Sequence, residues 1–241
     1  MERLDKILSN SGYGSRKETK ALIKKGLIKV DGIIAKDSGL IVDIDNSNIE
    51  IGDTALEYKK YIYLMMNKPE GVVSATFDNY DKTVIDLLEE KHQAFKPFPV
   101  GRLDKDTIGL LILTNDGELN HRVTSPKWHV DKIYQAVIDN EVTASDVEAF
   151  KEGIVIEDEC KTYKCMAAEL QIITTSKDCS KVLVKVQEGK FHQVKKMFLA
   201  LGKKVIFLER ISFGNLELDR NLELGQYREL SKEEVYNLKA I

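Results

Sequence analysis

Apolar residues recur along this chain first with a helical period and then mostly with a strand period. Leu4, Ile7 and Leu8 fall on one helical face, and Gly12-Tyr13-Gly14 ends that helix. Ser15 with Glu18 forms a capping box, and a second helix runs to Lys25 before stopping at Gly26. Leu22 and Ile23 give this helix its apolar side, which leaves Arg16, Lys17, Lys20 and Lys24 facing outward. Residues 27–30 and 33–34 flank Asp31-Gly32, a two-residue hairpin signal, and short strands are expected at 41–44 and 49–51. A boundary follows near 52–60.

Beyond it, residues 61–66 read as a buried strand and 83–90 as a short helix with Val84, Leu87 and Leu88 inward. The run Leu110-Leu111-Ile112-Leu113 lies between Gly109 and the turn signal Thr114-Asn115-Asp116-Gly117, too short for a helix and suited to a core strand. A helix over 118–124 ends at Ser125-Pro126. Residues 132–138 alternate as a strand, 143–150 form a capped helix stopping near Gly153, and 181–187 alternate through Val182, Val184 and Val186. Residues 190–201 read as a helix ended by Gly202, with Phe191, Val194, Phe198 and Leu201 on one face and His192, Lys195, Lys196 and Lys203 opposite. Ser231 and Glu234 cap a last helix.

At 241 residues the chain can bury a sizeable core and hold two domains. No apolar run approaches the ~20 residues of a membrane helix, and the first residues lack a signal-peptide core. Cys160, Cys165 and Cys179 show no Cys-x-x-Cys spacing and have no histidine near them in sequence. They read as reduced packing thiols of a cytoplasmic protein, not as a zinc site. The net charge of −3 argues against a nucleic-acid partner until its distribution is followed. Residues 1–36 carry nine Lys/Arg against four Asp/Glu, and residues 181–204 carry seven lysines against Glu188 alone. Two basic stretches on an otherwise acidic chain fit a phosphate-backbone binder, although either alone fits a solvated lysine face.

The chemistry concentrates at residues 98–117, where Arg102, Asp104 and Asp106 precede the core strand. Spacing alone allows a surface ion pair of Arg102 with Asp104, or two side chains presented to a substrate from a rigid loop. Gly101-Arg102-Leu103-Asp104, with Asp106-Thr107 and Gly109-Leu110-Leu111 after it, resembles the catalytic signature of the pseudouridine synthases. Asn67-Lys68-Pro69 with Gly71 resembles the turn that precedes their catalytic loop, although a plain surface turn fits Pro69 as well. The segment 188–197, Glu188-Gly189-Lys190-Phe191-His192-Gln193-Val194-Lys195-Lys196-Met197, resembles the branch that modifies small-subunit (16S) ribosomal RNA. Gly214, Leu218, Gly225 and Arg228 also follow the family pattern. Near the start, Arg3-Leu4-Asp5, Ser15-Arg16, Leu22-Ile23, Gly26, Val30 and Asp31-Gly32 resemble the S4-like RNA-binding domain. Thr19 departs there from a small apolar residue.

These resemblances imply an α+β chain. Residues 1–58 would be an S4-like domain, and residues 59–241 a catalytic domain with a mixed, mainly antiparallel sheet flanked by helices. They imply Asp104 as nucleophile, Lys195 as its basic partner, and Tyr134 stacking on the flipped base and moving a proton. Periodicity alone would make Tyr134 a core aromatic. Arg102 would enter the space the base vacates; Val194, His192 and Gln193 would line the substrate. Arg3, Arg16, Lys17, Lys20 and Lys196 would grip RNA. No cofactor or metal is implied. The implied partner is ribosomal RNA or a small-subunit assembly intermediate, met by a monomer with no membrane contact, and the implied target is the family's uridine 516. A large-subunit enzyme, or a silent RNA-binding assembly factor, are the rival readings.

Overall fold

The structure, a computed structural model, describes residues 1–44, 46–56, 58–158 and 161–241. Backbone contacts divide it into two units, Met1–Ile62 with Glu90–Lys96, and Tyr63–Glu89 with Pro97–Ile241.

In the first unit the helices Leu4–Asn10 and Arg16–Lys24 form as the apolar spacing requires. Ser15 N donates to Glu18 Oε2 (2.7 Å) and Glu18 N to Ser15 Oγ (3.4 Å), so the capping box closes in both directions. Leu4, Ile7, Leu8, Ile23, Ile28 and Val42 are buried together as one core. Thr19 is buried beside them, and its hydroxyl donates to the Asp5 carbonyl of the first helix (3.3 Å), so the departure from an apolar residue is accommodated by a hydrogen bond. The strands Ile28–Val30 and Ile33–Ile34 are joined through Asp31 (φ 52°) and Gly32 (φ 78°), the paired left-handed conformations of a tight hairpin turn. Ile49–Ile51 and Thr54–Ala55 complete that sheet.

The second unit is built on one long sheet. Its strands run in the order Glu169–Thr175, Ser180–Val186, Lys132–Ile138, Val205–Phe213, Ile108–Thr114, Tyr63–Lys68 and Tyr227–Glu229. Along that order every pairing is antiparallel except Val205–Phe213 with Ile108–Thr114. At that parallel contact Gly109 (φ +102°) lies so close that an added Cβ would fall within 2.3 Å of the Arg210 carbonyl oxygen, so only glycine fits. Leu110 and Ile112 sit in a core with Val123 of the helix Gly117–Thr124 and Leu238 of the helix Lys232–Lys239. Strand alternation turns Leu111 and Leu113, also fully buried, to the opposite face. The Phe150 and Phe198 rings, 5.0 Å apart, join the helix Ala144–Glu152 to the helix Gln193–Ala200. No helix among the described residues is long and apolar enough to cross a membrane.

Two expected helices differ. Residues 83–89 form turns, and only Glu90–Gln93 is helical. Asp86 accepts from Thr83 N (2.7 Å) and from Thr83 Oγ1 (2.9 Å); this pattern opens a helix, but here it closes an isolated turn, a local bond competing with helix propagation. The helix expected over 190–201 begins only at Gln193, because His192 adopts a left-handed conformation (φ 53°). Phe191 is therefore thrown off the apolar face and is 62% exposed, while Val194, Met197 and Phe198 are buried. Cys165 is buried and Cys179 exposed, both free thiols; Cys160 lies outside the described residues.

Candidate active site

The loop between Phe98–Pro99 and Ile108–Thr114 is held by its backbone before any of its side chains acts. Val100 N donates to the Ile112 carbonyl (2.8 Å), and Ser74 Oγ both donates to the Leu103 carbonyl (2.8 Å) and accepts from Leu103 N (3.1 Å). Lys68, wholly buried, donates from Nζ to the carbonyls of Asp104 (3.0 Å), Thr107 (2.9 Å) and Pro69 (3.0 Å). Burial lowers Lys68 to about 8, against the opposing pull of the Asp104 and Asp106 charges. This clamp is the part of the site that reading by residue type missed. Its one signal was the Asn67-Lys68-Pro69 turn, where the lysine rather than the proline holds the loop.

With the backbone fixed, the side chains of Asp104 and Lys195, 91 positions apart, meet at 3.0 Å. Lys195 also reaches Asp106 (2.5 Å), and His192 Nε2 stands 3.5 Å from the other Asp104 oxygen. Burial opposes the Lys195 charge, but the hydrogen bonds to Asp106 and Asp104 outweigh it and hold the ammonium above the usual lysine range. Burial likewise opposes charge on Asp106, and its bond to Lys195 more than compensates, so that carboxyl titrates below its usual range. Arg102 is exposed and makes no ion pair among the described residues, so the surface pair with Asp104 that spacing allowed does not form.

A small cavity of about 60 Å³ brings Arg102, Asp104, Tyr134, Val194 and Lys195 together. It adjoins a larger one of about 500 Å³ that shares Arg102, Asp104 and Tyr134 and reaches Lys132 and Arg210, neither of which the sequence singled out. Tyr134 is both core aromatic and cavity wall, 9% exposed. Gln193 borders the smaller cavity, yet its amide is engaged locally: Oε1 accepts from Lys190 N (3.0 Å) and Nε2 donates to Glu188 Oε2 (3.1 Å). It shapes the loop that delivers His192. Lys196 lies over the Phe191 ring at 5.0 Å.

In the first unit, Arg16, Lys17 and Lys20 are exposed. Lys17 and Lys20 share a depression with Lys24 and Lys36, the last of which the sequence reading did not select. Arg3 differs, because Asp5 holds it through two hydrogen bonds of 3.1 and 2.9 Å.

Residues 62–200 match the RNA pseudouridylate synthase family, and residues 2–47 match the S4 domain. An uncharacterized RNA pseudouridine synthase of Bacillus subtilis is 46% identical, covering 98% of each chain. Ribosomal small subunit pseudouridine synthase A of Vibrio cholerae is 39% identical over 98% of this chain and 99% of its own. Ribosomal large subunit pseudouridine synthase B of B. subtilis is 36% identical over 100% of this chain and 97% of its own. A solved pseudouridylate synthase superposes over 99% of this chain and all of its own with a TM-score of 0.68 at 34% identity. With an S4 domain ahead of a matched catalytic region and relatives aligned end to end, this chain belongs to the RNA pseudouridine synthases, isomerases that act on uridine in RNA.

Proposed function

We propose that the chain converts one uridine of small-subunit (16S) ribosomal RNA, the family's uridine 516, to pseudouridine with Asp104 as nucleophile. The observation that carries this is the Asp104–Lys195 ion pair in a cavity walled by Tyr134 and Val194 and bordered by Arg102. The reaction breaks the bond from C1′ to N1, turns the uracil, joins C1′ to C5, and moves the C5 proton to N1. It is an isomerisation, so the atoms balance without a co-reactant. Asp104 begins it, as a carboxylate, either by adding to the uracil ring or by attacking the sugar, and the Lys195 ammonium 3.0 Å away fixes where that carboxylate points. Extruding the uridine costs a few kcal/mol, and Arg102, exposed and free of ion pairs among the described residues, fills the vacated space. Tyr134 stacks on the base with Val194 opposite, and its phenolic oxygen accepts the C5 proton as its own hydroxyl proton leaves, so the tyrosine ends as it began. Lys195 bridges Asp104 and Asp106, so one cation orients two carboxylates.

The S4-like unit, residues 1–58 in this reading, holds RNA through Arg16, Lys17 and Lys20, with Arg3 in reserve once Asp5 releases it. Lys196 adds to the grip beside the catalytic loop. The segment His192-Gln193 and the Vibrio small-subunit relative favour 16S rRNA. The B. subtilis large-subunit relative supports a second reading, a 23S rRNA target. Single-turnover assays on 16S and 23S rRNA fragments, free and in assembling particles, separate these. The expected result is product on a 16S substrate with wild type and none with Asp104→Asn, whose RNA binding is retained. Turnover at the normal rate by Asp104→Asn would remove that residue from the mechanism.

A further inference from the structure

The larger cavity continues past Asp104 to two cations that the reaction above does not use. Lys132 and Tyr134 alternate onto one face of their strand, and the neighbouring strand pairs Phe213 with Lys132 and Arg210 with Tyr134. A β-bulge makes this possible. The register passes from Ile133 opposite Ser212 to Tyr134 opposite Arg210, so Ile211 is the extra residue. Without it Tyr134 would face Ile211, and Arg210 would turn to the other side of the sheet.

Arg210 is 2% exposed. Its Nε donates to the Leu110 carbonyl (2.8 Å), whereas its Nη2 has no partner among the described residues. Its guanidinium lies 5.2 Å from the Phe213 ring centre, and Lys132 Nζ lies 5.5 Å from the same centre. Lys132 donates to the Val130 carbonyl (2.8 Å). Neither cation has a carboxylate within ion-pair distance among the described residues. Burial, and after it the Arg210 charge, lowers Lys132 to about 8. A buried guanidinium N–H without an acceptor, beside a second cation, is costly unless an anion arrives. A uracil carbonyl could accept one hydrogen bond but would leave both charges unbalanced. A phosphodiester oxygen does both, and in RNA whose uridine occupies the Asp104 end of the cavity, the nearest anions are the two phosphates flanking that nucleotide.

We propose that Arg210 and Lys132 form a subsite for the RNA backbone phosphate adjoining the flipped uridine, and so set how deeply the nucleotide enters. This deepens the functional reading above and rests on it. The subsite positions the substrate; it touches no bond that changes.

The test uses an rRNA fragment that the wild-type protein modifies, with a single uncharged methylphosphonate linkage placed 5′ or 3′ to the target uridine. One of the two linkages is expected to weaken binding by wild type about tenfold or more, the range for a charged hydrogen bond. Lys132→Gln is expected to lose a similar factor on native RNA and to lose nothing further on that linkage, the non-additivity of groups that meet. Thermal unfolding shows whether Lys132→Gln is folded, and the methylphosphonate comparison needs no variant at all. If both neutral linkages bind wild type as native RNA does, or if the two losses add fully, the subsite is overturned while the reaction stands. If wild type forms no pseudouridine in any rRNA, the functional reading falls and the subsite with it.

Discussion

Asp104 is held at two levels, its carbonyl by Lys68 and its carboxylate by Lys195, with His192 alongside. Geometry is thereby fixed before substrate arrives, as the attack proposed for Asp104 requires. Tyr134 gives the sharpest test at this scale. Removing its hydroxyl leaves the ring, its burial and its stacking face, so Tyr134→Phe should bind RNA as wild type does and form product roughly 10²-fold more slowly, as expected for a lost general acid–base group. Single-turnover rates and affinities measured together decide it; an unchanged rate would confine Tyr134 to packing. The meeting of residues 104 and 195 was legible only through likeness to a family, since no periodic pattern links positions so far apart. That Gln193 keeps its amide for Lys190 and Glu188 was not legible at all.

At the scale of elements, the core strand Ile108–Thr114 could be read from sequence because its apolar run is bounded by Gly109 and a turn. The capping boxes at Ser15 and Ser231 were equally plain, since the cap and its partner are both local. Two things local patterns could not show were the left-handed His192 and the bulge at Ile211, which depend on what the neighbouring segments demand. The Lys68 clamp escaped for a related reason: a cation satisfied by backbone carbonyls has no charged partner in the sequence. Replacing it by methionine leaves the carbonyls of Pro69, Asp104, Lys105 and Thr107 without their shared donor, at an expected cost of about 3 kcal/mol. Urea unfolding of Lys68→Met should show that loss, and its rate of product formation should fall more than its affinity for RNA. Unaltered stability would mean that the loop is held by other means.

The pH response follows from the same group. Lys68 titrates near 8 in the folded chain, below its ordinary 10.5. Under about pH 8 it is charged in both states, so its burial weighs against folding. Between 8 and 10.5 the folded chain sheds a proton that the unfolded chain keeps, and that burden is relieved as pH rises. Across this window wild type should gain stability relative to Lys68→Met, while its activity declines because a neutral amine donates more weakly to the carbonyls of Asp104 and Thr107.

At the scale of the whole molecule, a net charge of −3 coexists with exposed lysines gathered on one depression of the first unit. The local basic stretches therefore predict more than the total does. Replacing Lys17 and Lys20 by glutamine should weaken binding to any structured RNA alike and reduce the log–log salt slope by about 0.7 to 0.9 for each phosphate left without its lysine. Weaker binding restricted to one sequence would instead make these residues readers of bases. The most direct test of the central claim is pseudouridine mapping of 16S and 23S rRNA from cells carrying the intact gene, a deletion, or the Asp104→Asn allele. One 16S pseudouridine should be present with the intact gene and absent from both others; its persistence with Asp104→Asn, or disappearance of a 23S site instead, would contradict the account.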